Sequence, residues 1–201
     1  NVRWQRTDLG RLHTRLGWGE AVTPVVYGDS LLLNYDQEAD SKLICLDAAT
    51  GKTRWEAKRE ERTTWSTPLV TEFGGKTQVI TNGTARIRSY DLASGEVLWQ
   101  CGGMTVNPIP SPVRVGDAVV CMSAYRGAAA VSIPLDSRGD LGEKGKGSWR
   151  HTSGTPYVPS PVLSGDLLYF TSTNEPVLTV LDAKTGKVVI DKERLAGVRS
   201  F

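Results

Sequence analysis

The residues of this 201-residue chain best suited to metal or nucleophilic chemistry are few, and their spacing argues against both. Cys45, Cys101 and Cys121 follow no metal-ligand spacing, and their odd number allows one disulfide at most, not a bridged framework. His13 and His151 stand far apart in sequence, which leaves little for a histidine zinc site or a Ser/His pair. A Gly-rich basic stretch carries Gly139, Gly142, Gly145 and Gly147 with Lys144, Lys146 and Arg150. It lacks the Gly-x-x-x-x-Gly-Lys-Ser/Thr order and a following helix, so it is not a phosphate loop, and tolerated length variation is the expected reading. The run from Glu56 to Arg62 is mixed in sign and reads as a solvated connection. No catalytic constellation is visible. Lys and Arg total 24 against 22 Asp and Glu, a formal charge of +2, which gives no bulk electrostatic case for nucleic acid. No run approaches the ~18 apolar residues of a transmembrane segment.

What stands out is six Trp against three Phe. Four of the six follow a repeat. Leu46-Asp47-Ala48-Ala49-Thr50-Gly51-Lys52-Thr53-Arg54-Trp55 recurs 44 residues later as Tyr90-Asp91-Leu92-Ala93-Ser94-Gly95-Glu96-Val97-Leu98-Trp99. A third copy, Leu181 to Ile190, carries Ile190 at the tryptophan position, and a degraded one runs from Leu135-Asp136 through the Gly-rich stretch to Trp149. A second landmark keeps the same beat: Thr23-Pro24, Thr67-Pro68, Ser111-Pro112 and Ser160-Pro161 are 44, 44 and 49 residues apart. Each opens a short β-type run, and Gly-Asp or Gly-Gly turns follow. The carboxylates Asp29, Asp47, Asp91, Asp117, Asp166 and Asp182 thereby fall in turns, where a structural role is expected.

Each unit of about 45 residues holds four short strands with no room for a crossover helix, which excludes parallel βαβ folds and describes a β-propeller blade. The fold expected is all-β: a β-propeller of four-stranded antiparallel blades, about four of them, with approximate bounds 21–64, 65–108, 109–158 and 159–192. Trp4 holds the place of a last-strand tryptophan, so residues 1–6 are expected to be a strand of a preceding blade. Both ends look cut from a larger ring, the far one at Arg199-Ser200-Phe201. Blades are rigid and their loops vary, so binding residues are sought in the stretches before each Ser/Thr-Pro strand. Trp18, Glu20, Trp65, Asn107 and Tyr157 lie there outside the repeat motif, and they are expected to ring one channel mouth suited to a peptide, sugar or cofactor.

The segment Cys45 to Trp55 resembles the quinoprotein (PQQ-type) repeat Ala-x-Asp-x-x-Thr-Gly-Lys-x-x-Trp; Ser89 to Trp99 matches well, and Val180 to Ile190 lacks only the Trp. Such repeats occur in quinone-dependent dehydrogenases, in the outer-membrane assembly scaffold lipoprotein, and in exported bacterial PQQ-like proteins, which the opening Trp4 to Leu9 and Gly17 to Glu20 resemble most. The resemblance implies a ring of seven or eight blades and a periplasmic or other cell-envelope location. It specifies the blade and not the cofactor. A quinone enzyme would need calcium held by six to eight oxygens, a catalytic Asp and an Arg; many also carry a Cys-Cys pair, absent here. The function expected is a non-enzymatic scaffold or protein-binding module, with a protein or peptide partner and no cofactor. The alternatives are a PQQ- and calcium-dependent alcohol or sugar dehydrogenase and a glycan-binding module.

Overall fold

The computed structural model describes all residues except 12, 15, 16, 144–148, 173, 174 and 199–201. It is a β-propeller with four blades among the described residues. The first blade is β1 (Val25–Tyr27), β2 (Ser30–Tyr35), β3 (Lys42–Asp47) and β4 (Thr53–Lys58). The second is β5 (Leu69–Phe73), β6 (Lys76–Thr81), β7 (Ile87–Asp91) and β8 (Val97–Cys101). The third is β9 (Val113–Val115), β10 (Ala118–Ser123), β11 (Ala129–Pro134) and β13 (Trp149–His151), with β12 (Gly139–Asp140) leaving it for the second sheet. The fourth is β14 (Val162–Ser164), β15 (Leu167–Thr171), β16 (Val177–Asp182) and β17 (Val188–Arg194). Within each blade successive strands pair antiparallel. The first hairpin of each blade turns in two residues; at Gly28-Asp29 the glycine has φ 57°, a left-handed conformation that a side chain would strain.

The middle strands are buried on both faces. The β10 and β11 runs are almost continuously inaccessible, as in strands sandwiched between neighbours. Each apolar cluster is accordingly shared by two blades: Leu32, Leu43 and Cys45 meet Val79 and Tyr90; Ile80, Ile87 and Trp99 meet Val119, Val131 and Leu135; Met122 and Trp149 meet Leu168, Phe170 and Leu181. The blade interfaces are therefore the core. Strand β9 touches both β5 and β14, so the first strands face one another on the inner side. There Thr23 N–H donates to Thr67 Oγ1 at 3.3 Å and Ser111 N–H to Ser160 Oγ at 3.0 Å, which gives the Ser/Thr-Pro landmark its physical reason.

The tryptophans lock one blade to the next. Trp55 lies against Gly95, where an added Cβ would come within 2.6 Å of the ring, and its Nε1–H donates to Leu92 O at 2.8 Å. Trp4 does the same on Gly51 and Ala48 O, and Trp149 on Gly186 and Ala183 O. Trp4 holds this position although residues 1–10 form no strand.

The third turn departs from the expected alignment. Pro134, paired with Ala118, occupies the place of Asp47, Asp91 and Asp182, which pair with Ser30, Gln78 and Leu167. Asp136 is thus two residues out of register with the turn carboxylates, and no Thr-Gly follows to receive Trp99. That ring is fully buried instead, and its Nε1–H donates to Gln78 Oε1 at 3.3 Å while Gln78 Nε2–H donates to Leu135 O at 2.8 Å. Leu135 stands where Ala48 stands in the first blade, each N–H donating to an Asp carbonyl of its own first hairpin, so the glutamine relays the lock to the equivalent carbonyl. The Gly-rich stretch also does more than vary in length. Strand β12 pairs parallel with β8, Leu141 N–H donates to Gln100 O, and Arg86 meets Glu143 at 3.1 Å, which straps blade three to blade two. Lys144, Gly145, Lys146 and Gly147 lie outside the described residues. Cys45, Cys101 and Cys121 are all free and buried, so the disulfide left open by the sequence is not formed.

Candidate functional site

Antiparallel strands put alternate turns at opposite ends of a blade. The Asp-x-x-Thr-Gly turns join third to fourth strands and occupy one end; the connections from second to third strands and between blades occupy the other. At that second end a cavity of about 220 Å³ is lined by Trp18, Glu38, Arg62, Thr63, Trp65, Asn107, Tyr125 and Arg126, with Thr14 and Val106. Trp18, Trp65 and Asn107, all singled out from the sequence, come together here. The Trp18 and Trp65 rings sit 5.9 Å apart, tilted by 44°, and Trp65 Nε1–H donates to Gly19 O at 2.9 Å. Trp18 remains 59% exposed, a large area of aromatic surface to leave in water. Asn107 has φ 56° and its N–H donates to Thr84 Oγ1, while Pro108 O accepts Trp65 N–H at 3.1 Å, tying the two inter-blade connections together.

Tyr157 and Glu20 are not in the lining. Tyr157 stacks on Tyr125 at 5.1 Å, one residue behind the cavity wall, where burial and the neighbouring Tyr125 push its phenol pKa up. Glu20 is exposed; partial burial, then the charge of Asp36, raises its carboxyl pKa. Sequence reasoning missed Glu38, Arg62, Tyr125 and Arg126 as cavity residues. Glu38, Tyr125 and Arg126 come from connections between second and third strands, which share this end by the same antiparallel rule; that rule was the available signal. Arg62 stands in the stretch before Thr67-Pro68, at the end of the mixed-sign run that reads from the sequence as a solvated connection.

The Trp65 connection is held from below by a buried polar network between blades one and two. Arg59 and Asp36, both wholly buried, form a two-pronged ion pair: Nε–H donates to Oδ1 at 2.6 Å and Nη2–H to Oδ2 at 2.9 Å. Arg59 Nη1–H also donates to Thr81 Oγ1 and Tyr90 OH, and Thr64 Oγ1–H donates to Asp36 Oδ2 at 2.7 Å, next to Trp65. Burial alone would lower the Arg59 pKa, but Asp36, Tyr90 and Glu61 outweigh it and hold it above its ordinary value. Glu61 accepts the Ala85 and Arg86 amides and Arg88 Nη1–H; burial pushes its carboxyl up against the pull of Arg59 and those donors.

These engagements decide whether a calcium-bound quinone fits. Asp29 and Asp47 hold Arg54, Asp91 and Asp182 cap their own turns, and Asp36 and Glu61 are spent in the network above. Among the described residues no three His, Cys, Asp or Glu side chains are grouped to hold a metal. A calcium site needs six to eight oxygens, so the donors present do not fit one.

Fold and blade locks together define a PQQ-type repeat propeller. A family model described as outer membrane protein assembly factor BamB matches residues 1–192, and the chain belongs to that family. Among solved structures it is similar to BamB from Moraxella catarrhalis, at 22% identity and a TM-score of 0.54 over 81% of this chain and 46% of that one. The quinohemoprotein alcohol dehydrogenase of Comamonas testosteroni is similar at 16% identity and a TM-score of 0.59, over 86% of this chain and 34% of that one. A europium-containing methanol dehydrogenase gives 16% and 0.61, over 84% and 40%. At these identities the likeness shows the fold alone, and the chain spans a third to a half of the structures it resembles. No curated protein sequence matches it.

Proposed function

We propose that this chain is part of a non-enzymatic scaffold of the bacterial cell envelope that binds a protein segment at the cavity between Trp18, Trp65 and Asn107. One observation carries the reading. Exposed aromatic surface is concentrated in a concave site at the loop end, while the carboxylates named above are committed to turns and ion pairs. Aromatic anchors in a shaped depression are the usual centre of a protein contact. Membership of a family described by an outer-membrane assembly factor supports the envelope location, and no helix among the described residues is long and apolar enough to cross a membrane. The four blades, near 21–64, 65–108, 109–158 and 159–192, are taken as part of a larger ring that Trp4 continues. The test sets this against the dehydrogenase reading: calorimetric titration with PQQ and calcium, followed by dye-linked oxidation of alcohols and sugars. No saturable binding and no turnover are expected. Stoichiometric quinone binding with oxidation would sink the proposal.

A further inference from the structure

Resting on that reading, we infer that the cavity takes an acidic peptide segment bearing an aromatic or long apolar side chain. The charge of the lining points that way. Arg62 and Arg126 both border the cavity, and among the described residues neither has a hydrogen-bond or ion-pair partner. Arg126 rests over the Tyr125 ring at 5.3 Å, which orients its guanidinium without consuming its donors. Glu38 is the single carboxylate of the lining, so the site keeps an excess of positive charge. Guanidinium groups match carboxylates by two parallel hydrogen bonds.

A second, independent observation concerns a hydroxyl. Thr63 borders the same cavity, is 3% exposed, and its Oγ1 has no partner, although buried hydroxyls are ordinarily satisfied. A ligand carbonyl or carboxylate reaching the cavity floor would satisfy it. Backbone conformation adds a third. Three described residues other than glycine have left-handed φ, and two of them, Asn107 at 56° and Arg126 at 55°, line this cavity. Such conformations cost energy and persist where the surroundings enforce them, often at ligand clamps.

The shape favours a peptide over a sugar. The Trp18 and Trp65 rings touch and are tilted by 44°, so they form a bent apolar wall and not one flat platform for a pyranose ring. The carboxylates would lie to the Arg62 and Arg126 side, and the apolar side chain against the exposed Trp18 ring.

The experiment is calorimetric titration of the full chain with blocked Asp-Phe-Asp-Phe-Asp, with its Lys-Phe-Lys-Phe-Lys counterpart, and with an oligogalacturonate. The acidic peptide should bind at least about tenfold tighter than the basic one at low salt, and lose that margin as salt rises. Arg62→Glu with Arg126→Glu, both at exposed positions, should invert the preference, and Trp65→Ala should weaken both peptides. Equal affinity for the two peptides, or unchanged preference in the charge-reversed variant, overturns the inference and leaves the protein-binding reading standing. So does tighter binding of the oligogalacturonate, and so does absence of peptide binding altogether. The protein-binding reading itself falls on a different result, the absence of any protein adduct from a photo-reactive residue placed at position 18.

Discussion

Replacing Asp36 with Asn removes one charge from a pair that has no contact with water. In the native chain Arg59 makes four hydrogen bonds, two of them to the Asp36 carboxylate. An asparagine presents an NH2 to one of those guanidinium donors, so one bond becomes a donor-donor contact and the buried cation loses its counter-charge. Breaking one side of a buried ion pair costs about 3–5 kcal/mol. The lower half of that range is expected here, since Glu61 adds some favourable charge to Arg59. For a chain of this length that corresponds to a fall in Tm of about 6–16 °C, read by thermal unfolding followed by near-UV circular dichroism. Because Thr64 donates to the same carboxylate, the variant should also loosen the connection that presents Trp65. A double variant, Asp36→Leu with Arg59→Met, should lose less than Asp36→Asn alone, because it removes both charges. Asp36→Asn within about 1 kcal/mol of the native chain, or a double variant less stable than the single, would refute the reasoning.

Gly95→Ala and Gly116→Ala share the left-handed cost of about 1–2 kcal/mol, but only the first drives a Cβ into Trp55. Urea unfolding should therefore show Gly95→Ala as clearly the worse of the two, since nothing lies within 4 Å of Gly116. Gln78→Leu strands the Trp99 N–H, the Ser89 hydroxyl and the Leu135 carbonyl inside the protein and should cost at least about 2–3 kcal/mol in the same assay. Asp47 is held down to about 2 by Arg54, with Thr50 assisting, so the folded chain binds its proton less readily than the unfolded chain. The stability it adds is fully present above the unfolded value of ~3.9 and is lost as pH falls toward 2. Acid unfolding of Asp47→Asn should differ from the native chain at pH 5–7, and the gap should close between about pH 4 and 2.

The blades were legible because a propeller repeats its solution. Asp, Thr-Gly and Trp recur at one spacing since each Trp must reach the Gly of the next turn. Where that contact is replaced, the pattern misleads. Leu135-Asp136 resembles Leu46-Asp47 in letters, yet the Gln78 relay and the register of β11 put Pro134 in the Asp place, and pairing across strands is not written in a local motif. The strap formed by β12 was hidden for the same reason, because Gly139-Asp140 has no strand-forming side chains and is held by backbone pairing and by Gln100 Nε2–H donating to Asp140 Oδ2. At the cavity, Trp18, Trp65 and Asn107 could be found as departures from the repeat. Tyr125 and Arg126 required knowing which connections share an end. The Asp36–Arg59 pair was not legible, since neither residue belongs to the repeat and they are separated by two strands.

The central claim is that a protein segment occupies the cavity lined by Trp18, Trp65 and Asn107. A photo-reactive phenylalanine placed at position 18, and separately at the exposed position 26 of β1, outside the cavity lining, as a control, tests it in cells making the full-length protein. The account predicts a discrete cross-link from position 18 to one envelope protein, absent from position 26 and lost when Arg62 and Arg126 are reversed in charge. No protein adduct from position 18, or equal adducts from both positions, would contradict it.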